Sequence, residues 1–116
     1  MKYAELMDLP EVQALMATAQ EKFPGKRLRP VDCAGGIMIL RQPNRGEYKR
    51  FVIGQIDDSK SENAQSMETL LRDLAVHPDK PVLNQWFEEF PGIQLDEEVR
   101  RTVGILAGSV KEENAK

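Results

Sequence analysis

Seven prolines cut this chain into short elements, and their positions restrict which elements those can be. Phe23-Pro24-Gly25, Gln42-Pro43, His77-Pro78 and Phe90-Pro91-Gly92 are stops. A proline ring blocks the helix behind it and pushes the preceding residue out of the helical region. Pro10 and Pro81 fall where a first helical turn accepts the missing N–H. Pro30 lies inside a strand-like stretch and limits that strand to a sheet edge, because it cannot donate to the ladder.

Between these stops, the apolar spacing predicts a helix over residues 8–22, a hairpin, and then four helices. Asp8 with Glu11 three residues on reads as a capping-box start. Leu9, Val12, Leu15, Met16 and Ala19 then recur every three or four residues, on one helical face. Residues 26–41 change character: Lys26–Asp32 alternates loosely, Ala34-Gly35-Gly36 signals a turn, and Ile37–Leu40 is short and apolar. Two strands alone are marginal in water, so this hairpin must lie on helices or pair with another chain. Asn44 with Glu47 opens the next helix, carrying Tyr48, Phe51 and Val52, and Gly54 weakens its end.

Asp57–Ser61 reads as a polar loop, with Ser59 or Ser61 capping a helix that runs to about Val76 on Ala64, Met67, Leu70, Leu71 and Leu74. Asp79 caps a helix that closes at Phe90. A last helix covers Asp96–Ala107, with Val99, Val103 and Leu106 on one face and Gly108 as its stop. The expected fold is α+β and predominantly α: one short β-hairpin with about five helices in a single compact domain over residues 1–108. Residues 109–116 (SVKEENAK) are expected to form a disordered polar tail.

The totals narrow the function classes. A chain of 116 residues can bury a core without a metal or disulfide staple. Its single cysteine, Cys33, excludes an internal disulfide and a cysteine-based zinc site. One thiol and five methionines fit a reducing compartment. The longest apolar run, Ile37–Leu40, is far below the ~20 residues that span a bilayer. The opening MKYAELMDLPEVQAL has acids and a proline where a signal peptide stays apolar. A cytoplasmic protein without membrane contacts is expected.

Candidate chemistry is sparse. Nucleophilic catalysis needs a thiol or hydroxyl beside a base, but Cys33 precedes a glycine turn with no catalytic signature, and His77 precedes a proline at a helix end. There an imidazole commonly meets the last carbonyls or the helix dipole. Asp57-Asp58 with Glu62 lacks the glycine and oxygen spacing of a calcium loop. Glu88-Glu89 and Asp96-Glu97-Glu98 are acids near helix ends, and the last group favours a helix start in any case. Ala34-Gly35-Gly36 lacks the spacing of known phosphate loops. No enzyme activity, cofactor or metal is expected.

Charge offers more. Lys26, Arg27, Arg29, Arg41, Arg45, Lys49 and Arg50 form a locally basic segment within a chain of formal net charge −3. That is either a solvated face or a patch for an acidic protein or nucleic acid. No aromatic stacking platform accompanies it, which weakens single-strand recognition.

The C-terminal half carries a resemblance. A helix ending near "VHPD" (76–79), then "KPVLNQWFEEFPGIQ" (80–94), then a helix ending "VGILAG" (103–108) resembles the tail assembly chaperones of tailed bacteriophages and prophages. "ILRQPNRGEYKRF" (39–51) also looks like that family's strand, proline and basic-aromatic helix. The matching positions are His77, Pro78 and Asp79, then Leu83, Trp86, Phe87, Phe90 and Pro91, then Leu106, Ala107 and Gly108. The chain departs from the pattern at His77, where an aromatic is expected, and residues 8–22 have no counterpart. The resemblance implies a non-enzymatic helper in virion tail assembly, working in the host cell cytoplasm. It would bind the tape measure protein and help recruit tail tube subunits, with self-association along that partner left open. Many such proteins also exist in an extended form made by a ribosomal frameshift.

On a helix, Leu83, Phe87 and Phe90 share one face, and Val82, Trp86 and Phe90 an adjacent one. Burying such side chains is worth about 1.5–3 kcal/mol each, so a core role accounts for them. Tryptophan is also enriched at binding hot spots, so both roles stay open for Trp86. The candidate partner-contacting residues are therefore Trp86, Phe87, Phe90 and Leu83 on one helix, with Tyr48, Arg45 and Lys49 on another. Helix-in-groove contacts would suit a long partner helix. The competing expectations are a regulator binding nucleic acid through residues 26–50, an enzyme using His77 or Cys33, and a virion head–tail component.

Overall fold

The computed structural model describes residues 1–56 and 60–111, with backbone only at 55, 56 and 60–64. Its elements run α1 (Tyr3–Met7), α2 (Pro10–Lys22), β1 (Leu28–Cys33), β2 (Gly36–Arg41), α3 (Arg45–Ile56), α4 (Lys60–Leu74), β3 (Ala75–His77), α5 (Lys80–Glu89) and α6 (Glu97–Ala107). A 3-10 turn over Ile93–Leu95 joins the last two. The fold is α+β and mostly helical, as the spacing predicts, but the described residues form six α-helices and a third strand beyond the hairpin.

The strands form one antiparallel sheet in the order β1-β2-β3. Val31 lies opposite Met38, and Pro30 opposite Ile39. β1 is an edge strand, as Pro30 requires. Side chains alternate across a strand, so Val31, Met38 and Leu40 face a core shared with Leu71, Leu74 and Leu83 from the helices that follow. Ile39, fully buried, points to the other face, which α2 covers. With helices on both faces, β2 reads as a continuous apolar run rather than an alternating one.

Two corrections to the sequence expectations concern short elements. The predicted third helix runs on to about Val76, whereas α4 stops at Leu74 and Ala75–His77 pair with β2, Ile39 facing His77 and Leu40 facing Ala75. Pro78 disfavours helix at His77, and the open side of β2 supplies hydrogen-bond partners. A three-residue strand has no periodicity of its own to announce it. The His77–Pro78 peptide bond is cis.

The second correction lies at the start. Asp8 does not cap α2; it ends α1, its N–H donating to the Glu5 carbonyl and the Leu9 N–H to that of Leu6, and Leu9 occupies the cap of α2 without a side-chain bond. α1 is held by tertiary contacts: Leu6 is buried, and the Met1 amino group pairs with Asp32 at 3.0 Å.

The other caps follow the sequence. Asp79 accepts from the Val82 N–H at 3.4 Å, and Asp96 from the Glu98 and Val99 N–H groups at 2.9 and 3.1 Å. Gly108 closes α6 at φ +83°, with Ser109 N–H donating to the Gly104 carbonyl at 2.9 Å and Gly108 N–H to that of Ile105 at 3.2 Å. That pairing satisfies the last carbonyls through a left-handed glycine. Val110 then lies over Gly104, where a Cβ would come within 2.6 Å of Val110 Cγ2. The first residues of the expected polar tail thus turn back onto α6, and 112–116 lie outside the described residues. Among the described residues, no helix is long and apolar enough to cross a membrane.

Candidate functional site: a basic and aromatic groove between α3 and α6

The start of α3 is fixed by charge. Asn44 Oδ1 accepts from the Glu47 N–H at 2.8 Å, and Glu47 Oε1 accepts from the Asn44 N–H at 2.9 Å, a complete reciprocal cap. Arg41, the last residue of β2, grips the same carboxylate with both arms, at 2.9 and 2.7 Å, and also donates to the Asp73 carbonyl at 2.9 Å. One guanidinium therefore joins the end of β2, the start of α3 and the end of α4. The Arg41 guanidinium holds the Glu47 carboxyl down at about 2. Further along, α3 crosses α4 closely at Gly54, where a Cβ would come within 2.6 Å of Ser66 Cβ. The sequence marks Gly54 as a weak point; in the structure it permits the crossing.

Fixed in this way, α3 packs on α4 and stands apart from α6, leaving a groove between the two. Tyr48 lies at its centre, with its ring centroid 5.8 Å from that of Phe51. One half of the groove, about 350 Å³, has Phe51, Met67 and Val103 at its base and Arg100 at its side, with Val110 closing over it. The adjoining half, about 360 Å³, runs from Tyr48 past Arg45 and Lys49 to Pro43 and Leu106. Val52 and Ile53, one turn beyond Tyr48 and Lys49, are exposed apolar residues on the same helix.

The residues expected to contact a partner fall into two separate groups. Tyr48, Arg45 and Lys49 line the groove. Leu83 and Phe87 are buried in the core, at 1% and 7% exposure, and Phe90 packs against it half-buried. Trp86 is also half-buried, and its indole covers the hairpin turn: a Cβ on Gly35 would come within 2.6 Å of Trp86 Cγ. The glycine pair thus provides the flat bed for the tryptophan. α5 contributes no residue to the groove.

The expected basic segment does not form one face. Arg29 is buried with its guanidinium 3.8 Å from the centre of the Tyr3 ring, and Arg41 is committed to Glu47, while Arg45, Lys49 and Arg50 are exposed on α3. Cys33 and His77 lie on the two outer strands with β2 between them and out of register, Cys33 opposite Gly36 and His77 opposite Ile39, so two strand spacings and a three-residue offset put them roughly 14 Å apart. Burial pushes the Cys33 thiol up, and its Sγ donates to the Gly36 carbonyl at 3.2 Å. Burial pushes the His77 imidazole down; it closes a strand rather than a helix. Among the described residues, no group of three histidine, cysteine or acidic side chains is placed to hold a metal. Asp57 and Asp58, with the side chain of Glu62, lie outside the described residues.

The sequence did not point to Arg100, Val103 and Val110 as groove residues. The available signals were the Arg100-Arg101 pair beside an apolar stripe, and an apolar residue two places beyond the Gly108 stop, where such residues tend to fold back.

Comparison with known protein families matches residues 34–113 to the domain of unknown function DUF6848. The chain belongs to this family. The DUF6848 span begins at the hairpin turn and takes in β2 and every later element through α6, so α3, α6 and the whole groove lie within it. α1, α2 and β1 precede it. No curated protein and no solved structure matches the chain.

Proposed function

We propose that this DUF6848 protein is a non-enzymatic tail assembly chaperone, which in the host cytoplasm binds the tape measure protein of a tailed phage or prophage and helps recruit tail tube subunits. One observation carries the proposal. The two stretches that resemble the tail assembly chaperones outside α5, residues 39–51 and 103–108, together line one groove through Tyr48, Phe51, Val103 and Leu106. Aromatic and aliphatic side chains at the base of an open groove, with cations at the rim, suit a protein segment better than a small molecule.

The test is an affinity pull-down from the native locus with a tag at Met1 and mass spectrometry of everything retained. Recovery of a long helical tape measure protein or a tail tube protein supports the proposal. Co-purifying nucleic acid would replace it with the regulator reading. Finding the chain in mature particles would make it a virion component, since a chaperone leaves before the particle is complete.

A further inference from the structure

Resting on that reading, we infer that the α3–α6 groove receives an acidic amphipathic helix of the partner protein. The charge on the walls and the chain's own charge have opposite signs. The chain is net −3, yet Arg45 and Lys49 on α3 and Arg100 on α6 all border the groove. Glu47 is the one acid of α3, and Arg41 draws it inward to 9% exposure, so α3 presents no free carboxylate to the groove. The acids of α6, Glu97 and Glu98, occupy its first turn, one turn before Arg100 and Arg101. Buried side chains that would cancel the cations are absent from the described lining.

The base supplies the other half of the match. Tyr48, Phe51 and Val110 offer apolar surface, and exposed Val52 extends the Tyr48 side by one turn. The walls run antiparallel: Arg45 lies towards Leu106 and Phe51 towards Arg100. At ~1.5 Å per residue, the stretch from Arg45 to Phe51 spans about two helical turns. That length accommodates anchors at i, i+3 or i+4, and i+7 of an incoming helix, with carboxylates on its flanks meeting the three cations. A nucleic-acid backbone fits less well, because Arg29 and Arg41 are withdrawn from the surface and the base is apolar.

The experiment places the photo-crosslinking residue p-benzoylphenylalanine at Tyr48 of the full chain, in producing cells, and at exposed Gln85 on α5 as a control. Irradiation is followed by sequencing of the crosslinked peptide. The expected product joins position 48 to a segment rich in Asp and Glu, with aliphatic residues every three or four positions. Arg45→Glu with Lys49→Glu should cut the yield about tenfold or more, while Arg45→Lys preserves it. A crosslink to a second copy of this chain, to nucleic acid or to a segment without acidic excess overturns the inference, as does the absence of any crosslink from position 48. If the charge-reversed chain still retains the tape measure protein in the pull-down, the groove assignment fails and the chaperone proposal stands. If position 48 captures an acidic helix of a protein with no part in tails, the assignment stands and the chaperone proposal fails.

Discussion

α5 and α3 are helices of similar length, and with the Phe90 cap they carry most of the chain's aromatic residues, but their apolar side chains meet different neighbours. α5 turns Leu83 and Phe87 into the core and lays Trp86 on the bare backbone of Gly35. α3 packs Phe51 against the core and places Tyr48, also partly buried, on the groove, with Val52 and Ile53 open to solvent. The difference lies in the neighbours. A glycine turn can accept a flat ring at van der Waals distance, so α5 closes down on the hairpin. α3 is anchored through Arg41 and Glu47 and crosses α4 at Gly54, which fixes it before it can close on α6. Exposed apolar surface results where an anchored helix keeps some of its apolar residues out of the core.

The contrast is sharpest in stability. Leu83→Ala should remove about 2–5 kcal/mol, the cost of a cavity in a packed core. Tyr48→Ala should cost clearly less, about 1–2 kcal/mol, since its ring is only partly buried and its truncation opens onto solvent rather than leaving a closed cavity. Urea unfolding midpoints measure both, and equal losses would mean that Tyr48 belongs to the core and the groove is not an open surface.

The Arg41–Glu47 pair comes next. Removing one partner of a largely buried pair leaves the other uncompensated, and both side chains are mostly buried, at 13% and 9% exposure. The Glu47 carboxyl is depressed from 4.5 to about 2, so it contributes stability that is complete above about pH 4.5 and is lost as pH falls towards 2. The shift corresponds to something on the order of 3 kcal/mol. Glu47→Gln should lower stability at neutral pH by that order and flatten the acid limb. A variant that keeps the same fall between pH 4.5 and 2 would show that other carboxylates set it.

Much of this was readable from local chemistry. Asn44 with Glu47, Asp79, Asp96 and Gly108 mark helix ends because a cap is a contact between near neighbours in sequence. α1 and β3 were not readable, because their hydrogen bonds and burial come from distant residues: Met1 reaches Asp32, and His77 pairs with Ile39. The site divides the same way. Arg45, Tyr48 and Lys49 stand out as a basic-aromatic helix, whereas Arg100 and Val110 join them only once α6 has been placed beside α3. Trp86 gave no local signal of its fate, since the glycine turn that receives it is far away in the chain.

The role of that glycine turn can be tested directly. Gly35→Ala should cost about 1–3 kcal/mol by forcing the indole off its bed, with a red shift of tryptophan emission as water reaches the ring. In Trp86→Leu, a smaller side chain lies over the turn, so adding Gly35→Ala should cost much less than it does alone. Strict additivity would mean that the alanine acts through the turn itself and not through Trp86.

The smallest effect on stability belongs to the groove. Arg45→Glu with Lys49→Glu should leave the unfolding free energy from urea titration within about 0.5 kcal/mol of the parent, as exposed charges remote from the core generally do. Partner retention should nevertheless fall sharply, because the change opposes every acidic group the groove is suited to hold. These two readouts separate a surface kept for binding from one that merely solubilises the fold. A stable variant that still holds its partner would return α3 to the status of a solvated helix. The exposed pair Val52 and Ile53 would then need another explanation, and exchanging both for serine would supply the control: no change in folding, with any loss of binding attributable to apolar contact alone.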